Sequence, residues 1–411
     1  MRPSRRRALE AAALATALPA RGVAARALAQ RAPPVPARWD EIVVRARGQT
    51  VHWNAWAGDE KTNAFIAWAG EELKRRHGVT VRHVRLRDTA EAVQRVIAEK
   101  QAGRDQGGSV DLIWINGPNF LALKEQGLLY GPFTQWLPNF ALVDAARRSN
   151  FVDFTIPVDG YESPWRIAQL VFIHDAARVR EPPRSMPELL AWARRHPGRT
   201  THPNVRNFLG ATFLKQALVE FVADAAALQR AATDAAFESL AAPMWAWYGE
   251  LRPMLWRQGR LFPENGPAQR QLMNDGEIDL MIAFNPAEAA VASIAGLLPP
   301  TVRTYVMRRG SIGNTSFVAI PYNASAKEGA MVLANFLLEP ATQARAQDVN
   351  QLGNFTVLDL ARLSPAERRR FEELPVHPAL PSNAELGAAL LEPHPSWMTR
   401  IVAEWERRFS R

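Results

Sequence analysis

The sequence predicts an α/β fold made of two lobes that face each other across a central cleft. Apolar runs of strand length alternate with amphipathic, helix-length segments from residue 50 to about residue 125. A long segment of mostly helical pattern, 185–305, follows, and strand-like runs then return up to residue 321. A chain that builds one α/β unit, leaves it and comes back favours two hinge-linked lobes, and ligands favour the cleft between such lobes.

The first 29 residues have the pattern of an export signal peptide. Arginines 5–7 precede an apolar run at 11–18, and residues 27–29 show the small-x-small pattern that a signal peptidase recognises. The adjacent arginines favour the twin-arginine route. Residues 30–38 are rich in proline and predict a linker. We therefore expect a protein of the periplasm whose folded part follows this linker.

Three strands alternating with helices open the folded part. Aspartate and threonine suit helix N-caps, glycine suits a helix C-terminus, and proline suits the first helical turn. These rules predict a strand at 50–53, a helix from Asp59 or Thr62 to Gly78, a strand at 79–86, a helix capped by Asp88 or Thr89, a strand at 110–115 and a helix led by Pro118. Strands in this alternation predict a parallel sheet with right-handed crossovers.

The remainder of the chain predicts more strands and the division into lobes. The expected elements are strands at 168–174, 279–284, 303–307 and 316–321, a helix at 324–338 and a polar, helical tail at 356–411. One lobe is expected from 39–165 and 306–340, and the second from 166–305 and 341–411. Segments near 163–168 and 305–316 should then cross between the lobes.

Composition and charge exclude several functional classes. The chain has 411 residues and a formal net charge of +9, but residues 1–29 hold six arginines and one glutamate, which leaves +4 for the rest. This mild balance gives no electrostatic footprint for nucleic acid. No run of 18 apolar residues follows the signal, so no membrane span is expected. Without cysteine there is neither a disulfide nor a site for a lipid anchor.

Motifs that carry catalysis or hold a cofactor are missing from the sequence. It contains no G-x-G-x-x-G, G-x-x-x-x-G-K-[ST], G-x-S-x-G or H-E-x-x-H pattern. None of the eight histidines stands four residues from another, so no metal and no cofactor is expected. We expect a binding protein and not an enzyme. A secreted hydrolase, whose serine, histidine and aspartate meet only in the fold, is the alternative.

Aromatic and amide side chains cluster where the predicted strands end. Carboxamides both donate and accept hydrogen bonds, and tryptophan supplies flat apolar area, which together suit a small organic solute. Asp59 and Glu162 beside tryptophans favour a cation. An anion would instead call for an arginine such as Arg166 or Arg206 and for helix N-termini aimed at it. The candidate ligand-binding residues are Trp53, Asn54, Trp56, Asp59, Asn116, Glu162, Trp165, Asn285 and Asn314.

The signal and five further segments resemble the YnjB-like branch of the ABC-transporter solute-binding proteins. The five segments are Asn54-Ala55-Trp56-Ala57-Gly58-Asp59, residues 107–117, Glu162-Ser163-Pro164-Trp165, Phe284-Asn285-Pro286-Ala287 and Ile312-Gly313-Asn314. The similarity runs from about Trp39 to the C-terminus. It implies the two-lobed periplasmic binding protein fold of type II, a partner permease and an ATP-binding subunit. A more distant resemblance to binding proteins for thiamine, polyamines and sugars motivates the hypothesis of a thiamine-like or other organic cation.

Together these features predict the periplasmic substrate-binding component of an ABC importer. We expect a monomer that captures a small polar or cationic organic solute by lobe closure and delivers it to the membrane permease. Three alternatives stay open: a receptor for an anion, a hydrolase that uses the same cleft, and a sensor that binds a solute without transport.

Overall fold

The computed structural model describes residues 38–409, so the predicted signal peptide and nearly all of the predicted linker lie outside the described residues. The strands are β1 Thr50–Trp56, β2 Thr80–Leu86, β3 Leu112–Ile115, β4 Val152–Asp153, β5 Ile156–Pro157, β6 Glu162–Gln169, β7 Val171–Asp175, β8 Leu280–Ala283, β9 Val302–Tyr305 and β10 Gly313–Ala319. The α-helices are α1 Trp39–Ala46, α2 Glu60–His77, α3 Ala90–Gln101, α4 Pro118–Glu125, α5 Met186–Arg195, α6 Phe208–Phe221, α7 Asp234–Leu251, α8 Gly266–Asn274, α9 Glu288–Ile294, α10 Lys327–Leu337, α11 Pro340–Gln347, α12 Pro365–Glu372, α13 Asn383–Leu386 and α14 Pro395–Phe409.

Short 3₁₀-helices fill several of the connections. They lie at Thr134–Trp136, Pro138–Leu142, Arg148–Asn150, Ala225–Gln229, Arg252–Met254, Trp256–Gly259 and Leu360–Arg362.

The first sheet has five strands in the order β2-β1-β3-β10-β6. β1 pairs in parallel with both β2 and β3, which confirms the predicted parallel unit. β10 then runs antiparallel to β3 and to β6. The late part of the chain therefore returns to complete the sheet that the early part began.

Helix α2 shows why the local predictions held. The Asp59 carboxylate accepts a hydrogen bond from the Thr62 amide at 2.8 Å, and Gly78 ends the helix with a φ of 68° that favours glycine. Between these ends, Phe65, Ile66 and other apolar residues of one face pack into the core.

The second sheet has three antiparallel strands in the order β8-β7-β9. The predicted strand at 168–174 is in fact divided between the two sheets: β6 ends at Gln169, Leu170 follows, and β7 begins at Val171. The return crossing occupies 306–312, between β9 and β10. The two sheets are thus joined by chain that passes almost directly from strand to strand.

Three segments predicted to follow strand ends lie inside strands. Asn54-Ala55-Trp56 belongs to β1, which extends beyond the predicted 50–53. Glu162-Ser163-Pro164-Trp165 forms the first half of β6, and Gly313-Asn314 begins β10. Pro164 is accommodated within β6 beside an irregularity in its pairing with β10. Phe317 pairs with Pro164 and Ser316 pairs with Arg166, so the register shifts by one residue at this point.

Each sheet has its own apolar core. Helices α1, α2 and α10 cover the first sheet with residues such as Ile42, Leu73 and Phe336. Helices α6, α7 and α14 form the second core. Residues 344–371 contribute to the first core and α14 contributes to the second, so the predicted 341–411 segment contacts both. The lobe boundaries stay predictions.

Candidate functional site

A cavity of about 470 Å³ lies between the two sheets and takes its walls from both halves of the chain. Residues that follow β1 and β3 line one side, and β8 with the helices near it lines the other. Its volume is in the range of sites that enclose small molecules. The arrangement matches the expected cleft at the carboxyl ends of parallel strands.

Several helices begin at the cavity, and polar side chains cap them. The carboxylate of Asp59 caps α2, the amide oxygen of Asn207 accepts from the Leu209 amide at 3.0 Å, and that of Asn265 accepts from the Ala268 amide at 2.9 Å. α3 and α4 also start among the lining residues. A helix N-terminus carries a partial positive charge, so these ends favour electron-rich groups in the cavity.

Arg166 projects from β6 into the cavity wall. Its Nε donates to Ser316 Oγ at 3.2 Å, and its Nη1 donates to Asn354 Oδ1 at 3.2 Å. The guanidinium carbon lies 4.3 Å from the ring centroid of Trp114 and 5.2 Å from that of Trp165. Burial lowers the pKa of Arg166 to about 10, and the charge of Asp59 partly offsets the effect. The group therefore stays charged at neutral pH.

Most other charged groups at the cavity already have partners. Arg270 contacts Glu288 at 2.6 Å, and Arg206 contacts Glu406. Burial raises the pKa of Glu288, and Arg270 opposes the rise. Among the arginines of the wall, Arg166 and Arg87 have no carboxylate at ion-pair distance within residues 38–409. Arg87 lies at the exposed rim, whereas Arg166 is part-buried.

A polar layer behind the cavity joins the two halves of the chain. Lys215 Nζ on α6 lies 2.6 Å from Glu392 Oε2, and Glu392 Oε1 accepts from Asn314 Nδ2 at 2.9 Å. The Lys215 and Glu392 side chains are 0% and 1% exposed. Nearby, Asp153 accepts from Asn116 Nδ2 at 3.2 Å, and burial raises the pKa of Asp153 to about 7. This layer fixes two of the amide side chains that line the cavity.

Five of the nine predicted binding residues line the cavity: Trp56, Asp59, Asn116, Asn285 and Asn314. Each amide already makes an internal bond. Besides the two bonds above, Asn116 Nδ2 donates to the Thr315 carbonyl at 2.7 Å, and Asn285 Oδ1 accepts from the Ala287 amide at 3.1 Å. These side chains are therefore held in fixed orientations before a solute enters.

The other four predicted residues do not line the cavity. Trp53 and Trp165 are fully buried in the first core, where their rings meet edge to face at 6.1 Å. The Asn54 amide donates to the His52 carbonyl at 3.0 Å, within its own strand. Glu162 is buried in β6, where neither carboxylate oxygen has a hydrogen-bond partner, and burial together with the charge of Asp153 raises its pKa well above the ordinary value. The prediction that Trp53 and Trp165 contact the solute is therefore not supported by their positions, because both rings belong to the first core.

Sequence reasoning missed several lining residues. Trp114 was expected as part of a buried strand, and it is buried, but its edge also reaches the cavity. Ser316 and Asn354 carried no signal because their role depends on contacts with Arg166 across the chain. Asn207 and Asn265 did carry one, since an asparagine before a helical pattern predicts an N-cap.

The described residues contain neither a metal site nor a membrane span by structural criteria. No group of three or more histidine, cysteine, aspartate or glutamate side chains in 38–409 is arranged to hold a metal ion. In the same range, no helix is both long and apolar enough to cross a bilayer.

The fold and the cavity define a two-lobed binding protein of the periplasmic type II class. Residues 68–366 match the family described as bacterial extracellular solute-binding protein. The chain belongs to this family. A curated relative is Protein YnjB of Escherichia coli (strain K12), which is 40% identical over 371 residues, or 90% of this chain and 94% of YnjB.

Solved structures share the fold at low sequence identity. The periplasmic binding protein AfuA from Actinobacillus pleuropneumoniae, with fructose-6-phosphate bound, superposes with a TM-score of 0.62 at 13% identity and covers 88% of this chain and 99% of AfuA. The Tp0655 (TpPotD) lipoprotein of Treponema pallidum gives a TM-score of 0.64 at 13% identity, over 88% of this chain and all of that chain (100%). These likenesses support the architecture.

Proposed function

We propose that the protein is the periplasmic substrate-binding component of an ABC importer and holds one small polar solute in the cavity between its sheets. The observation that carries the proposal is the cavity itself, because its walls come from both halves of the chain and present fixed amides, arginine guanidinium groups and several helix N-termini. A solute in this position contacts both lobes at once.

Lobe closure follows from that geometry. A solute that bridges the walls binds the closed form better than the open form and so shifts the population toward it. Reversing a 99:1 bias toward the open form requires about 10⁴-fold tighter binding to the closed form. We propose that the closed form is the one that docks on a membrane permease and that an ATP-binding subunit drives release.

Binding without turnover is supported by the chemistry of the wall. Among the described residues that line the cavity, none is a histidine, cysteine or lysine. Ser316 accepts a hydrogen bond from Arg166, so its oxygen lies beside a cation. The Thr62 hydroxyl does donate to the Asp59 carboxylate at 3.0 Å, but the same carboxylate oxygen also caps α2, and no histidine among the described wall residues completes a triad. A hydrolase would need such a base within hydrogen-bond reach of the nucleophile.

Thermal-shift screening of the purified protein tests the proposal. The panel contains carboxylates, phosphate esters, polyamines, vitamins, amino acids and sugars. A solute at 100 times its dissociation constant stabilises the folded protein by about 2.7 kcal/mol, which raises the melting temperature. Chemical analysis of the solute after long incubation should recover it unchanged. A solute that is bound and then converted into product contradicts the proposal and favours the hydrolase.

Export is tested on the full chain in its host. Cell fractionation should find the protein in the periplasm, and replacing Arg5 and Arg6 by lysine should leave it in the cytoplasm if the twin-arginine route carries it. Unchanged export of this variant would argue against that route while leaving the compartment as proposed.

A further inference from the structure

Arg166 is a charged group of the cavity wall that has no carboxylate at ion-pair distance among the described residues, although the charge of Asp59 acts on it. We infer that Arg166 is the anchor for an anionic oxygen group of the solute, a carboxylate or a phosphate. The inference rests on the proposed function, because it names the chemical class of solute that the same cavity takes.

The hydrogen bonds of Arg166 orient the guanidinium but leave part of it free. Nε is used by Ser316 and one N–H of Nη1 by Asn354, both at 3.2 Å. No described residue provides a hydrogen-bond acceptor for Nη2. The guanidinium fork matches two oxygens of one carboxylate or phosphate, so the free N–H groups are suited to that contact.

The charge of Arg166 is compensated less directly than that of the paired arginines in the wall. The side chain is part-buried, its acceptors Ser316 and Asn354 are neutral, and Asp59 acts on it without a direct ion-pair contact. Arg206 and Arg270, which also line the cavity, each have a glutamate partner. Arg166 differs from both, which is the expected state of a group whose partner arrives with the solute.

The carboxylates at the same cavity each have at least one oxygen engaged by the protein itself, and only Glu288 is engaged by a cation. Asp59 Oδ2 accepts from both the amide and the hydroxyl of Thr62, at 2.8 and 3.0 Å. Asp88 accepts from the Ala90 amide at 2.8 Å, at the start of α3. Glu288 is paired with Arg270. The wall therefore offers a free cationic group opposite acidic groups that already serve as caps or ion-pair partners.

Two of the four aromatic rings that line the cavity, Trp114 and Phe208, lie beside the protein's own cations, whereas Trp56 and Phe284 have no such neighbour among the described residues. Arg166 lies over Trp114 and Trp165, and Lys215 Nζ lies 5.0 Å from the ring centroid of Phe208. An organic cation would find these π-faces taken. The N-termini of α6 and α8, which neutral asparagines cap, add positive potential to the same cavity, whereas the Asp59 carboxylate offsets that of α2.

Isothermal titration calorimetry on the purified protein tests the inference. One arm uses succinate and citrate, a second uses glycerol 3-phosphate and fructose 6-phosphate, a third uses spermidine and thiamine, and a fourth uses the neutral analogues succinamide and glucose. The first two arms separate a carboxylate from a phosphate. We expect an anion of one of these arms to bind, with its neutral analogue at least about 30-fold weaker.

Three variants make the test specific. Arg166→Gln should weaken binding of the anion by at least about 30-fold and remove its advantage over the neutral analogue, because one partner of a desolvated charge pair is lost. Arg166→Lys should recover part of the affinity, since it keeps the charge but loses the planar fork. The matched control is Arg345→Gln, because Arg345 also lies over a tryptophan, Trp68 at 4.5 Å, but does not line the cavity.

The outcomes distinguish failure of the inferred anionic solute class from failure of the proposed solute-binding function. Tight binding of spermidine, thiamine or glucose that Arg166→Gln leaves unchanged overturns the anionic class and retains the solute-binding function. Anion binding that Arg166→Gln does not weaken also overturns the role of Arg166. Absence of binding in all four arms counts against the proposed function itself. Melting temperatures of the variants close to the original protein's exclude simple misfolding, and the partial recovery by Arg166→Lys gives a second check.

Discussion

The buried pair of Lys215 and Glu392 permits a prediction in which removing one charge is worse than removing both. The two side chains contact each other at 2.6 Å with essentially no exposure to solvent. Burial lowers the pKa of Lys215 and raises that of Glu392, even though each partner opposes the change. Both directions indicate that desolvation exceeds the mutual attraction of the charges.

The magnitude follows from which groups lose their partner. In Lys215→Met the apolar stem still packs near the rings of Phe154 and Phe208, but Glu392 retains only the hydrogen bond from Asn314. A buried charge left in this way costs about 3–5 kcal/mol of unfolding free energy. In the double variant Lys215→Met, Glu392→Leu no charge is left behind, and the cost should fall to about 1 kcal/mol or less, or become a gain.

Urea unfolding at pH 7, followed by the fluorescence of the 13 tryptophans, measures these differences. The exposed pair of Arg194 and Glu250 provides the control, since Arg194→Met at the surface should change the free energy by less than about 1 kcal/mol. A single variant as stable as the original protein, or a double variant as unstable as the sum of both singles, would refute the reasoning.

Three further predictions concern other buried groups. Burial raises the pKa of Asp153 to about 7 from an ordinary 3.8, so its contribution to stability is full below pH 3.8 and is lost as the pH rises through 7. Urea titrations should therefore show the original protein losing about 4 kcal/mol of unfolding free energy between pH 4 and pH 8, relative to Asp153→Asn. Trp53→Ala should lower the free energy of unfolding by about 3–5 kcal/mol through loss of core packing, whereas Trp56→Ala should change solute affinity more than stability. Gly210→Ala should destabilise the start of α6 and weaken binding, because a Cβ there would lie 2.2 Å from the Pro203 carbonyl oxygen.

Each of these predictions has its own contrary result. An unchanged difference between the original protein and Asp153→Asn across that pH range would show that the carboxyl is ionised throughout. A Trp53→Ala variant that is stable but binds the solute poorly would show that Trp53 contributes to solute binding and not to core packing. Full stability and binding in Gly210→Ala would show that the loop before α6 moves freely.

Local sequence signals were sufficient for elements such as α2, and insufficient to predict which face of a strand meets the cavity. Asp59 and Gly78 mark both ends of α2 through hydrogen bonds and backbone angles that depend on neighbouring residues alone. Trp53 and Trp56 stand three positions apart in β1, so they point to opposite faces of the sheet. Trp53 is buried in the core and Trp56 lines the cavity. The neighbouring residues alone do not predict which face of β1 meets the cavity.

The contacts that shape the site are long-range, which is why they escaped prediction. Ser316 and Asn354 lie 150 and 188 residues from Arg166 in the sequence. Glu162-Ser163-Pro164-Trp165 was expected to precede a strand at 168–174, but it pairs with β10 across a register shift and belongs to β6. Neither the pairing partner nor its irregularity is encoded near the proline.

The single residue between β6 and β7 restricts how the lobes can move. One residue of chain spans at most about 3.6 Å, so Leu170 allows the sheets to turn about one another but not to slide apart. Arg166 stands four residues before that pivot, about 13 Å along an extended strand, whereas Arg87 and Arg206 lie at exposed positions. If the lobes close as proposed, Arg166 should therefore be displaced less than the rim, so a solute bound to it would keep that contact in both the open and the closed form.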